Sequence, residues 1–556
     1  MLFGVNSSVT YNYNEAGKNN TLGRLNSSTV KVGETEILNS ILSYKAGEQS
    51  TTSNRISQIS NNNKVIDYTY DNNGNIKTII YDKDTENKKT IEYFYDAVNQ
   101  LTRENNQIIN KTIKYNYDNG GNILSKEEYS YTTDEIPAEQ PQVYNYTYDE
   151  VWKDKLASYH GKAITYDNIG NPLTYNGWTF TWDRGRELKS MTGNGKTLSF
   201  TYNENGIRTT KTVNGVTTTY HLLGNAVTYE SNGTDNIYYT YDPNGQLLSM
   251  NLSTRNPDGT WSQGVEYYYI RNAQNDIIGL LDNSGTEVVR YTYDSWGKLI
   301  STTGSLASTL GVKNPYRYRG YRYDAETGLY YLTGRYYDPQ IGRFINADTA
   351  DVLVASPMAL TDKNLFAYCE NNPVMFMDPS GYGKTYVIYY NNPGSGFETQ
   401  AMNSPYYNKN SKDVYMIGVT SNQDFIDAWN SMSGTIDYVY LYLHGGTGIL
   451  YFKGESLSFF GSQNFSDLNS KKVKKGVYLF SCHGGDGREG NNVAWMFSKL
   501  TISKVYACTG SVSYSKIFGK YYARKAWDWG IIKTFYYQKK YIFWGPTVAK
   551  SSAGQW

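Results

Sequence analysis

YTYDNNGNI, from Tyr68 to Ile76, is the stretch on which the fold of this chain turns. Its aromatics sit two residues apart, the period that puts side chains on one face of a strand. Asp71 and the Asn-Gly that follows support a tight turn, and Ile76 begins a return strand. The pattern recurs as YFYDAVNQL at Tyr93, YNYDNGGNI at Tyr115, YTYDEVWKDKL at Tyr146 and ITYDNIGNPL at Ile164. It returns as FTWDRGREL at Phe180, FTYNENGI at Phe200, YTYDPNGQLL at Tyr239, YTYDSWGKLI at Tyr291 and YRYDAETGL at Tyr321. Spacing between units is irregular, roughly 16 to 50 residues, unlike a propeller of equal blades. A strip of hairpins wound into a continuous sheet is expected, because one hairpin alone is marginal and its neighbours must cover its aromatic face.

Composition agrees with a mainly β chain. Among 556 residues there are 57 Tyr and 51 Gly but only 13 Pro, so tyrosine must supply much of the buried area that aliphatic residues supply elsewhere. A net charge of +1 gives no bulk argument for a nucleic-acid or acidic partner. Three cysteines, Cys369, Cys482 and Cys508, make no disulfide framework and are expected as free thiols. The opening MLFGVNSSVT has no basic region followed by a long apolar run, and no transmembrane segment is expected.

The repeats lead into GYRYDAETGLYYLTGRYYDPQIGRFINADTADVL (Gly320 to Leu353) and NLFAYCENNPVMFMDPSGYG (Asn364 to Gly383). Together these resemble the tyrosine-aspartate repeats and the repeat-associated core of the RHS family of polymorphic toxins. The resemblance implies a β-shell in residues 1–315 lacking upstream delivery sequence, a core in residues 316–382, and a variable carboxyl-terminal toxin domain in residues 383–556. It further implies aspartyl self-cleavage just after the DPxG element, here Asp378 to Gly381, with the scissile bond after Tyr382, where the family usually has leucine. Asp348 is the foremost candidate carboxylate; Asp351 is a second, and Asp378 is either a participant or a shaper of the turn. Two carboxylates sharing one proton are what such chemistry needs. Secretion or display at a cell surface by an unread route, a target-cell substrate and an immunity protein also follow from the resemblance.

Beyond Tyr382 the texture changes. KTYVIYY (Lys384 to Tyr390) and DVYMIGV (Asp413 to Val419) read as strands, and SNQDFIDAWNSM as a helix capped by Ser421, with Phe425, Ala428 and Trp429 on one face. DYVYLYLHGG (Asp437 to Gly446) and GVYLFSCHGG (Gly476 to Gly485) read as buried strands running into glycine turns. A helix around Asn491 to Leu500 and a strand at Lys504 to Gly510 complete an alternation expected of a separate α/β domain with a parallel sheet. If the two glycine-ended strands are neighbours, His444 and Cys482 leave the same carboxyl edge, where open α/β sheets place their sites.

A thiolate nucleophile beside an imidazole is a catalytic dyad, and the Gly445 and Cys482 N–H groups are the candidate oxyanion donors. His483 is expected to point elsewhere, Cys508 to be a core thiol, and His160 and His221 to be turn or surface residues. The order histidine then cysteine at two strand exits resembles the caspase-like, or clan CD, cysteine peptidases. That resemblance implies a protein substrate; no metal and no cofactor are expected.

Competing readings stand beside it. An α/β-hydrolase would need a histidine late in the chain, and none follows His483. A nuclease tail would use the basic, aromatic stretches KYYARKAW (Lys520 to Trp527) and YYQKKYIFW (Tyr536 to Trp544), although nucleic acid is the less expected partner. A deaminase would need a PCxxC zinc signature that is missing from the sequence. A surface adhesion protein whose repeats contact carbohydrate would leave the change of texture after Tyr382 unexplained.

Overall fold

The computed structural model describes residues 2–3, 7–13, 24–46, 55–136, 140–242, 245–348 and 364–378, and then 384–392, 396–402, 414–432, 436–446, 449–452, 454–458, 465–469, 471, 473–481, 493–501, 505–508, 511–515, 520–524, 538–544 and 547–550. Two compact units divide the chain: Met1–Ala347 with Asn364–Gly381, and Asp348–Lys363 with Tyr382–Trp556.

In the first unit the repeats form two antiparallel sheets of 14 strands each, every strand paired with its sequence neighbours. The turn explains the repeat. Asp71 Oδ1 accepts the Asn75 N–H at 2.8 Å, Asp71 Oδ2 accepts Asn75 Nδ2 at 3.0 Å, and Gly74 turns with φ +88°. Asp118 with Asn122 and Asp167 with Asn171 repeat both contacts at 2.8–2.9 Å. Just before each turn the register slips by one residue, at Thr69/Tyr70, Phe94/Tyr95 and Asn116/Tyr117, a β-bulge that re-aims the second aromatic.

That second aromatic reaches back to the preceding unit. Tyr95 donates its hydroxyl to the Ile76 carbonyl at 2.8 Å, Tyr117 to Leu101 at 2.6 Å, Tyr148 to Ile123 at 2.8 Å and Tyr202 to Leu188 at 3.0 Å. In each case the accepting residue lies opposite the preceding unit's own second aromatic, as Ile76 lies opposite Tyr70. Trp182 makes the latch through its indole N–H to Pro172 at 2.7 Å. Arg271 makes it through Nη2 to Leu247 at 2.5 Å, which exposes a repeat, YIRNAQNDI at Tyr269, that aromatic pattern-matching misses. The first aromatics, Tyr68, Tyr93, Tyr115 and Tyr146, point inward and are buried.

The start of the first sheet meets the end of the second through Ser7 with Tyr268 at 3.1 Å, Asn61 with the Arg271 carbonyl at 2.7 Å and Lys64 with Glu287 at 2.8 Å. Buried side chains of both large sheets form one apolar cluster, and into it packs a short antiparallel sheet of Arg322–Asp324, Leu329–Tyr331, Tyr336–Asp338 and Arg343–Phe344. Polar contacts to the repeats accompany this apolar packing. Arg208 grips Asp324 through both guanidinium ends at 2.7 and 3.0 Å, Tyr175 donates to Asp338 at 2.5 Å, and Arg322 pairs with Glu230. Burial alone would raise the Asp324 carboxyl, but Arg208 and Lys211 hold it well below its usual range. Asn371 and Asn372 donate to Gln100, Gly121, Asn75 and Asn99, so the ENNP stretch is stitched to three consecutive repeat turns.

The second unit contains a seven-stranded sheet ordered Val414–Val419, Lys384–Tyr390, Ile436–Tyr442, Val473–Phe480, Val505–Cys508, Gln538–Trp544 and Thr547–Lys550. Its first five strands run parallel and the last two antiparallel. The helix Asn422–Ser431 starts in a capping box, Ser421 accepting the Asp424 N–H at 3.1 Å, and buries Phe425, Ile426, Ala428 and Trp429. Val493–Thr501 packs Met496 and Phe497 into the same core.

Candidate functional site

Two neighbouring strands of the parallel sheet set the site. Tyr442 lies opposite Phe480, and the Leu443 N–H donates to the Phe480 carbonyl at 3.4 Å, so the two strands end side by side. Their apolar, β-branched and aromatic composition fits strands covered on both faces: Val439, Leu441, Val477 and Leu479 are buried on one side, and Tyr440, Tyr442 and Phe480 on the other. His444 follows Tyr442 by two residues, as Cys482 follows Phe480.

His444 is exposed, but its ring lies edge-on to Phe397 at 4.7 Å and to Tyr390 at 5.6 Å. This partial removal from water lowers its pKa from the ordinary value and favours the neutral imidazole, the form that accepts a proton. Cys482 and His483 lie outside the described residues. Ser481, just before the cysteine, is buried.

One expectation needs correcting. The glycines after His444 do not simply turn: His444–Gly446 is a strand that pairs with Ile449–Phe452, which pairs in turn with Glu455–Ser458. Gly445 therefore stands opposite Leu450 in a three-stranded antiparallel sheet. The signal was present in ILYF and ESLS, where Leu450, Phe452 and Leu457 alternate inward and Gly454 takes φ +76° in the intervening turn. Glu455 opens the third strand of this sheet. It accepts the Asn422 N–H at 3.0 Å at the start of the helix.

The residues expected to cut the chain divide differently. Asp378 is paired with Arg335 at 2.9 Å, and its N–H donates to the Tyr321 hydroxyl at 2.7 Å. Arg335 itself lies 3.5 Å over the Phe344 ring, so this carboxylate is held by a packed cation. Asp348 is half-buried; the preceding Ala347 is fixed by its N–H to Gly170 at 3.0 Å and by Arg186 on its carbonyl. Asp351 and Tyr382 lie outside the described residues. Cys369 is a buried free thiol whose pKa burial pushes far up, an inert core group. His160 occupies a turn at φ 46° and His221 lies exposed on a strand. Among the described residues no cluster of three or more His, Cys, Asp or Glu is placed to hold a metal.

The model of the teneurin YD-shell matches residues 4–374, spanning both sheets and most of the core. The chain belongs to the teneurin YD-shell family. Among curated relatives of this YD-shell chain, the tRNA3(Ser)-specific nuclease WapA of Bacillus spizizenii is 33% identical over 331 residues, 58% of this chain and 11% of the relative. The tRNA nuclease WapA of Bacillus subtilis gives the same identity and coverage. The chain thus spans about a tenth of the length of these relatives. Among solved structures, TcdB2-TccC3 aligns with a TM-score of 0.48 at 20% identity, over 68% of this chain and 21% of that one.

Proposed function

We propose that this YD-shell chain carries and releases a carboxyl-terminal effector that acts inside a target cell as a cysteine peptidase. The observation that carries the reading is the parallel pairing of Ile436–Tyr442 with Val473–Phe480, which sends His444 and the chain toward Cys482 out of one sheet edge. In this reading the domain is caspase-like. His444 takes the Cys482 thiol proton, the thiolate attacks a peptide carbonyl, and the N–H groups of Gly445 and Cys482 receive the oxyanion. The imidazolium returns its proton to the leaving amine, and water, deprotonated by His444, hydrolyses the thioester.

Release is proposed to follow cleavage after Tyr382, with Asp348 and Asp351 as the carboxylates and Asp378, occupied by Arg335, shaping the turn. Intact-mass measurement of the purified chain tests this: a fragment beginning at Gly383 is expected, and Asp348→Asn should abolish it. A single full-length mass after long incubation rejects the cut. Export fits the family, and no helix among the described residues is long and apolar enough to cross a membrane.

A nuclease tail is the second reading, favoured by relatives whose names are tRNA nucleases. Purified protein incubated separately with tRNA and with an unfolded protein substrate separates the two. Proteolysis lost in Cys482→Ala supports the peptidase. Loss of tRNA that persists in Cys482→Ala supports the nuclease and ends the dyad reading.

A further inference from the structure

A cavity of about 240 Å³ lies where strands Arg208–Val213, Val216–Leu223 and Ala226–Ser231 meet the start of the core. Its charges do not cancel. Lys211 is matched by Glu326 at 2.8 Å, Lys313 by Asp235 at 2.6 Å and Arg322 by Glu230. Arg317, also in the wall and buried, hydrogen-bonds the carbonyls of Gly311 at 3.0 Å and Asn314 at 3.4 Å and lies over the rings of Tyr323 at 4.7 Å and Tyr291 at 5.1 Å. Its positive charge has no carboxylate partner among the described residues.

Hydrogen-bond donors are left over as well. Arg322 uses Nη2 on Glu230, while its buried Nη1 meets no acceptor with hydrogen-bond geometry. The Tyr220 hydroxyl, buried in the same wall, is equally without a partner. The Arg322 guanidinium lies 4.3 Å from the centre of the Tyr220 ring, so the two orphaned groups belong to one stack. An ammonium carries three N–H donors. Lys211 spends two on Asp324 and Glu326, and Lys313 two on Asp235 and Thr254. Buried donors without acceptors are rare because each forfeits its bond to water.

We propose that this cavity is an anion site for a free tetrahedral oxyanion of the size and charge of phosphate. The ligand would give acceptors to Arg322 Nη1 and Tyr220, and its charge would answer Arg317. On this measure one water needs roughly 10–15 Å³, so the space is enough for phosphate with part of its hydration. Tyr220 and Lys211 belong to the second sheet, whereas Lys313 and Arg322 belong to the core and its approach. A bound anion therefore ties core to repeats and stabilises the assembled unit by mass action.

Thermal unfolding of the full chain, titrated with inorganic phosphate against potassium chloride and acetate at matched ionic strength, tests the site. Phosphate should raise the transition saturably and beyond both controls. Tyr220→Phe should unfold like the wild type without phosphate, since its hydroxyl has no partner to lose, and should need about tenfold more phosphate for the same rise. A phosphate effect no larger than that of chloride or acetate overturns the proposal. So does a Tyr220→Phe protein that titrates as the wild type, or one already destabilised without phosphate, which would show a structural partner for the hydroxyl. Lys313→Gln gives an independent reading of the same weakening, and an unchanged phosphate response in that variant also counts against the site.

Discussion

The two units bury different kinds of side chain. The first takes Glu104, Lys126, Arg208, Glu230, Arg319, Arg322, Asp324, Asp338 and Arg343 out of water, together with the tyrosines that bond them. In the second, the buried polar residues among those described are Thr385, Asn422, Ser481 and Thr501, all uncharged, in a core of Val, Leu, Ile and Phe. The repeat unit thus adds buried charges, several of them paired, to its apolar core, whereas the α/β unit relies on apolar packing, which tolerates change in proportion to the volume removed. Each should fail in its own way.

The largest effect is expected from splitting a buried pair. Arg208→Met leaves Asp324 charged and without its bidentate partner, and should cost about 3–5 kcal/mol of the first unit's stability. Denaturant titration of the full chain checks this, and the double variant Arg208→Met with Asp324→Leu should recover most of the loss. If single and double variants are equally unstable, charge pairing is not what holds the core to the repeats. In the second unit Phe497→Ala, at a fully buried position, should cost about 3–5 kcal/mol through its cavity while leaving the first unit's transition unchanged.

A smaller effect distinguishes the units by pH. Glu104 is buried, accepts the Tyr115 hydroxyl at 3.3 Å and accepts from Ser295, in a turn between strands of the second sheet; burial, and then the charge of Asp294, push its pKa up to about 7. Lys126, Tyr93 and Tyr115 belong to the same cluster. Because its carboxyl holds a proton more readily folded than unfolded, its contribution is full below its ordinary value of 4.5 and is lost as pH rises through about 7. Stability of the first unit should therefore decline between about pH 4.5 and pH 7, by on the order of 3 kcal/mol. Glu104→Gln should flatten that slope, and an unaltered slope would place the titration elsewhere. Smallest of all, Tyr95→Phe removes one latch to Ile76 and should cost about 1 kcal/mol.

How much of this was legible in the sequence differs between the units for a physical reason. Repeats announce themselves because Asp71, Gly74 and Ile76 each serve a local need of one turn, and the same need recurs at Asp118 and Asp167. The unit at Tyr269 escaped because its latch requires only a donor that reaches the Leu247 carbonyl, and Arg271 supplies it without an aromatic ring. In the α/β unit the strand pairing at Tyr442 and Phe480 followed from apolar runs, but the small sheet from His444 to Ser458 did not, because glycines were read as turn residues. The polar seams between core and repeats were invisible, since Arg208 and Asp324 are far apart in sequence and nothing local pairs them.

Growth of cells carrying the full chain under a tight promoter tests the central claim most directly. The wild type should arrest growth, and His444→Ala and Cys482→Ala, at equal soluble yield, should each restore it. Arrest that persists in both variants would contradict a thiol–imidazole effector at the edge of the parallel sheet.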